Sequence, residues 1–142
     1  MTIIADHKIL DCLFDGNNPF TLRRNLVADR SATEELSDQE AWRQSIDHLV
    51  SLRSLEDDWD GQRAIAPAAD LLESAIELAR WLSDHRAAPP HFATAGVNGT
   101  VQFEWVDQQH QYFLIEVVAP NEAEVFSMLG DDQVSASGTF RW

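Results

Sequence analysis

From Trp42 onward the apolar positions fall into a helical rhythm. Trp42, Ile46, Leu49 and Val50, followed by Arg53, share one side, while Glu40, Arg43, Gln44 and Asp47 turn outward. This spacing predicts a helix from about Asp38 to Arg53. Ser37 and Glu40 have the spacing of a capping box, in which each side chain reaches the other's free backbone amide. Leu36 and Ala41 are placed to staple the entry. A broader stripe, Ala68, Leu71, Leu72, Ala75, Ile76, Ala79 and Leu82, predicts a second helix over residues 67–84. Pro67 suits its first turn, where a missing amide costs nothing. His85 and Arg86 suit the negative end of its dipole, and "AAPP" at 87–90 stops it.

The period then changes from helical to alternating. In "TVQFEWV" (100–106), Val101, Phe103 and Trp105 alternate with Gln102 and Glu104, and "YFLIEVV" (112–118) is rich in β-branched and aromatic residues. "DQQHQ", "PNEA" and "GDDQ" read as the turns that lead onward to "EVFSML" and "VSASGTFRW". With "HFATAGV" ahead of Asn98-Gly99, four or five short antiparallel strands follow in meander order. Helices first and strands afterwards predict an α+β fold, two central helices packed on one face of the sheet. Val101, Phe103 and Trp105 would line the buried face. Residues 1–142 read as one domain: a helical part at 37–86, a β-sheet part at 91–142 and a poorly defined segment at 1–30. Within that segment "IIADHKILDCLF" suits a short helix or strand, "DGNNPF" a turn, and "TLRRNLVADR" a short docking helix.

Composition narrows the functional classes. At 142 residues and 44% hydrophobic, the chain can bury a real core. Cys12 is the only cysteine, so a CxxC site and an intrachain disulfide are excluded; beside Leu13 and Phe14 it fits a buried thiol. The opening residues lack an export pattern and no stretch reaches membrane length, so a cytoplasmic protein is expected. The charge says more. Acids outnumber bases 24 to 10, and residues 29–60 alone carry ten acids against three bases. Residues 101–142 carry seven acids against one base. Direct nucleic-acid binding is disfavoured because no basic face could release counterions, and an anionic membrane repels the same surface. The complement is a basic protein partner, of which a nucleic-acid-binding protein is one form.

The acidic loop "EDDWDGQRAIAP" (56–67) poses the sharpest question. With Gly61 at position six of a calcium loop, Glu56, Asp58 and Asp60 fall at positions one, three and five. Position twelve, which needs a bidentate acid, is then Pro67, and position nine is Ala64. The alternative is a structural corner: Trp59 buried over the helix junction, and Asp60-Gly61 making a tight turn, with Gly61 at positive φ. On either reading Glu40, Asp47, Glu56, Asp57 and Asp58 form an acidic surface suited to docking. They are the expected partner-binding residues, and Trp59, Asp60, Gly61 and Pro67 the structural corner.

"DDWDGQRAIAPAADLLESAIELARWL", then "PP", then "GTVQFEWVDQQHQYFLIEVV" resembles a group of short bacterial proteins of uncertain function. That group carries a W-D-G-x-x-A-x-x-P segment, a helix, a strand ending in Glu-Trp, and an aliphatic strand with another glutamate. Trp59, Asp60, Gly61, Ala64, Pro67, Glu104, Trp105 and Glu116 carry the likeness, which covers roughly residues 55–118. It implies a bacterial setting and lends no activity. Glu104 and Glu116, on strands joined by a hairpin, are the one pair that could serve a small hydrolase, since glycoside hydrolysis needs two carboxylates about 5–9 Å apart. His7, His48, His85, His91 and His110 show no metal-binding spacing, although His85, His91 and Asp84 could meet across the Pro-Pro turn. The sequence therefore points to no catalytic, metal or cofactor site. It points to an accessory, inhibitor or antitoxin-like subunit beside a basic partner, with a small hydrolase and a calcium-binding helix-loop-helix as alternatives.

Overall fold

The computed structural model of the chain describes residues 32–106, 112–128 and 134–142. The expectations for residues 1–30, with His7 and Cys12, and for the loops holding His110 and "GDDQ", lie outside the described residues. Helix α1 spans Ala32–Ser51 and tightens into a 3-10 turn at Leu52–Ser54. Helix α2 spans Ala69–Asp84. Five strands follow: β1 (Phe92–Ala95), β2 (Val101–Val106), β3 (Tyr112–Ala119), β4 (Glu122–Met128) and β5 (Val134–Arg141). They form one antiparallel sheet in the order β1-β2-β3-β4-β5, the meander that the turn spacing predicted. Two helices and this sheet make the fold α+β.

Both helices begin away from their predicted starts. α1 starts at Ala32 rather than Asp38, so Ser37 lies inside it and cannot cap it. Ala32, Glu34, Glu35 and Leu36 are all good helix formers, and the helix has no need to wait for a cap. Glu40 reaches forward, accepting from Arg43 at 2.7 Å and Gln44 at 3.3 Å, instead of back to Ser37. Leu36 is 66% exposed and staples nothing. Arg53, placed on the apolar stripe by its spacing, is exposed and pairs with Glu73 of α2. For α2 the N-cap is Ala68, still extended at ψ 150, so Pro67 stands just before the helix rather than in its first turn.

The end of α2 follows a stricter pattern than a proline stop. Arg86 adopts φ 61, its amide donates to Ser83 O at 3.0 Å, and the Ala87 amide donates to Leu82 O at 2.9 Å. These are the two bonds of a Schellman motif, with arginine where glycine is usual. Buried Leu82 and Ala87 supply the accompanying apolar pair. The Ala-Ala carbonyls then take the donors of two core indoles: Trp42 Nε1 donates to Ala87 O at 2.8 Å and Trp105 Nε1 to Ala88 O at 2.9 Å. A buried indole needs such an acceptor, so "AAPP" anchors the core as well as ending the helix.

One core joins the two halves. Trp42, Leu49 and Leu52 meet Leu72, Ile76 and Leu82 of α2 and Val101, Phe103, Trp105, Phe113, Ile115 and Val117 of the sheet. α1 touches β1, while α2 touches β2 and β3. Burial alternates strictly along β2 and β4, so Glu104 lies on the face opposite Val101, Phe103 and Trp105.

Candidate acidic binding site

The loop between the helices is held together by its own acids. Asp60 Oδ1 accepts the amides of Gln62 (2.8 Å) and Ala64 (3.0 Å). Asp58 Oδ1 accepts that of Arg63 at 2.7 Å, and Asp57 Oδ1 reaches across nine residues to that of Ala66 at 3.0 Å. The Asp58 amide donates to Ala64 O at 2.7 Å and closes the loop. Gly61 sits at φ 72 as expected, and Asp58 and Arg63 also take positive φ, at 67 and 69. Aspartate tolerates that region through local side-chain bonds; arginine has no such excuse, and the closed loop imposes it. The two amide bonds hold the Asp60 carboxyl below the usual aspartate range, the Gln62 amide contributing most. These carboxylates are thus aimed at amides, as a corner requires.

Trp59 departs from its expected place. It is 36% exposed, and its Nε1 donates to Ile65 O at 3.3 Å instead of sealing the helix junction. The junction needs no plug, since Arg53 and Glu73 tie the helices and Leu52 and Ala64 are buried beneath. Beyond the corner the Ile65 amide donates to Val97 O at 2.9 Å, forming an isolated parallel bridge to Asn98. Gly99, at φ 78, lets Ile65 approach: a Cβ there would lie 3.2 Å from its Cγ2. The acidic loop is therefore docked onto the turn between β1 and β2.

The five expected partner-binding residues are all exposed. Glu40 and Asp47 lie two helical turns apart on one face of α1, with Arg43 between them. The bond from Arg43 holds the Glu40 carboxyl below its usual range, and Gln44 adds to this. Two acids and one base leave that face a single net negative charge. Glu56, Asp57 and Asp58 follow in the loop, where no base is adjacent until Arg63.

Glu104 and Glu116 share the outer sheet face but are not opposed. Glu104 pairs with Leu114, and Glu116 with Gln102, so the two are diagonal neighbours, about 7–8 Å apart by strand geometry. Glu116 Oε1 accepts from Thr100 Oγ1 at 2.7 Å and Gln102 Nε2 at 3.3 Å. Its direct partner across β3–β4 is Glu124, a like-charge pair at opposed positions. Burial pushes the Tyr112 hydroxyl up to about 12, helped by its hydrogen bond to Glu104 and by the charges of Glu104 and Glu116. This is the outer face of an open sheet, with half-buried Leu114 and Phe126 between the acids.

His85 and His91 have separate structural duties. His85 stacks on Trp81 at 3.9 Å, its Nδ1 lying 2.8 Å from Trp81 O. His91 Nδ1 accepts the Val106 amide at 3.2 Å. Among the described residues no group of three or more His, Cys, Asp or Glu could hold a metal ion, and no helix is long and apolar enough to cross a membrane. A groove of about 720 Å³ beside α2, lined by residues that include Trp81, Trp142 and Asn121, was not expected from the sequence. Its signal was a tryptophan on the polar side of α2, with Glu77 four residues before it and Asp84 three after. No protein-family model, no curated protein and no solved structure matches the chain.

Proposed function

We propose that the protein is an acidic protein-binding module, an accessory, inhibitor or antitoxin-like subunit for a basic protein partner in a bacterial cytoplasm. The observation that carries this reading is the way the loop at 56–60 is built. Asp57, Asp58 and Asp60 are exposed, yet each has an oxygen fixed by backbone amides. Charge is displayed at set positions on a rigid corner, so little ordering is needed when a cation arrives. Two helices on one face of a sheet supply the frame, and Asp47 and Glu40 continue the acidic surface along α1. The net charge of −14 steers a basic partner from a distance. A nucleic-acid-binding protein, whose own ligand is anionic, presents a groove of the required sign. The likeness of residues 55–118 to short bacterial proteins supports the setting.

The test needs charge changes that leave the corner folded. Lysine at Asp57 or Asp58 would unpin the Ala66 or Arg63 amide, whereas Asp47 and Glu56 hold no loop amide. With the partner identified by affinity purification from the native host, Asp47→Lys with Glu56→Lys is expected to slow association and flatten its salt dependence, leaving thermal stability unchanged. Equal association rates for both proteins from low to high salt would overturn the reading.

A further inference from the structure

At the opposite end of α2 from the acidic loop lies a groove with a different chemistry. Glu77, Arg80, Trp81 and Asp84 project from the last two turns of α2 and His85 from its C-cap, while Asn121 and Trp142 close the other side. The walls are fixed. His85 stacks on the Trp81 indole with an interplanar angle of 22°. Trp142 lies 5.4 Å from Phe140, and its amide donates to Asn121 O at 3.2 Å. Asn121, at φ 58, is tied to buried Ser74 by two bonds: Ser74 Oγ donates to Asn121 Oδ1 at 3.0 Å, and the Asn121 amide donates to Ser74 Oγ at 3.1 Å. One donor has no acceptor among the described residues, the buried Nε1 of Trp142.

We propose that this groove binds an arginine or lysine side chain presented by a protein, with its cation held by Glu77 and Asp84 and its stem against the indoles of Trp81 and Trp142. It extends the reading of a basic partner to a second place on the surface. Asp84 stands in the last turn of α2, where the negative end of the helix dipole favours a cation. Indole faces attract cations and cover aliphatic stems, and each indole is backed by a second ring, His85 against Trp81 and Phe140 against Trp142. Arg80 is the internal competitor. It lies three residues after Glu77 and four before Asp84, yet among the described residues it forms no ion pair with either. The two acids remain open to a cation from outside. Capping both ends of a peptide removes the α-ammonium and the α-carboxylate, so that the side-chain cation alone meets Glu77 and Asp84.

The probe is capped acetyl-Gly-Arg-Gly-amide, titrated into the full chain while the indole N–H signals of its five tryptophans are followed by NMR. Trp81→Phe and Trp142→Phe assign the two groove signals. Both are expected to shift with the Arg and Lys peptides and to stay still with the Gly-Gly-Gly and Gly-Glu-Gly peptides. Glu77→Gln with Asp84→Asn is expected to weaken binding about tenfold, the scale of one good ionic contact. Arg80→Gln is expected to strengthen it. The signals of Trp42 and Trp105, bonded within the core, report in every case that the fold is intact. Shifts caused equally by the Gly or Glu peptide, no shift at either groove indole, or weaker binding in Arg80→Gln would overturn the proposal. Because no natural partner is used, this outcome is independent of whether the acidic loop docks one.

Discussion

Single residues in this protein divide sharply by where their polar atoms go. Trp42 and Trp59 are both tryptophans beside the helix junction, but only Trp42 is buried, with its donor on Ala87 O. Trp42→Ala is expected to cost about 3–5 kcal/mol, the usual range for a buried aromatic. Trp59→Ala is expected to cost about 1–2 kcal/mol, since much of its ring already meets water. Urea unfolding of both variants checks the contrast, and equal losses would restore Trp59 to the junction. Asp60 offers a pH test. Its amide bonds lower its folded pKa, so the stability it contributes is present above the ordinary aspartate range and lost as pH falls through the lowered value. Asp60→Ala should therefore be less stable than wild type at neutral pH. The gap should close as pH is taken below that range, and thermal melts of the two proteins across acid pH measure it.

At the scale of elements, the turn between β1 and β2 links distant features. A Cβ on Gly96 would lie 2.2 Å from Thr100 Oγ1, so alanine there forces the hydroxyl to rotate. That hydroxyl donates to Glu116, which faces Glu124 across the next strand pair. Gly96→Ala is expected to cost about 1–3 kcal/mol. Combined with Thr100→Ala it should cost less than the sum of the two single changes, because both remove the same bond. Additive losses in a double-mutant cycle would show the two positions to be independent. Elements were legible in the sequence wherever period alone decides: the stripe of α2 from Leu71 to Leu82 and the alternation of Val101, Phe103 and Trp105 lie where they were expected, while Ala68, counted into that stripe, is exposed at the N-cap. Starts were less legible, because capping spacing at Ser37 carries no information once Ala32–Leu36 are themselves helix-forming. The burial of Trp59 was misread because its size suggested a plug, whereas Arg53, Glu73, Leu52 and Ala64 already close the junction. The groove at the end of α2 was hidden because Asn121 and Trp142 are 40 and 61 residues from Trp81, a juxtaposition only the folded sheet creates.

Over the whole molecule, the dominant fact is self-repulsion. A net charge of −14 on a chain this short opposes compaction, and added salt screens it. The melting temperature is expected to rise between low and physiological ionic strength with sodium chloride. A melting temperature that falls over that range would mean that attractive pairs such as Arg53 with Glu73 outweigh the repulsion. The meander has a further consequence, in time rather than in energy. Every strand pairs with its neighbour in the chain, so each ladder closes only a short loop as it forms. The long closures are those that seat the helices: Trp42 reaches Ala87 across 45 residues, and Ser74 reaches Asn121 across 47. Hairpins should therefore assemble ahead of helix docking, and the slow step of folding should be the arrival of α1 and α2 on a sheet whose ladders have already zipped.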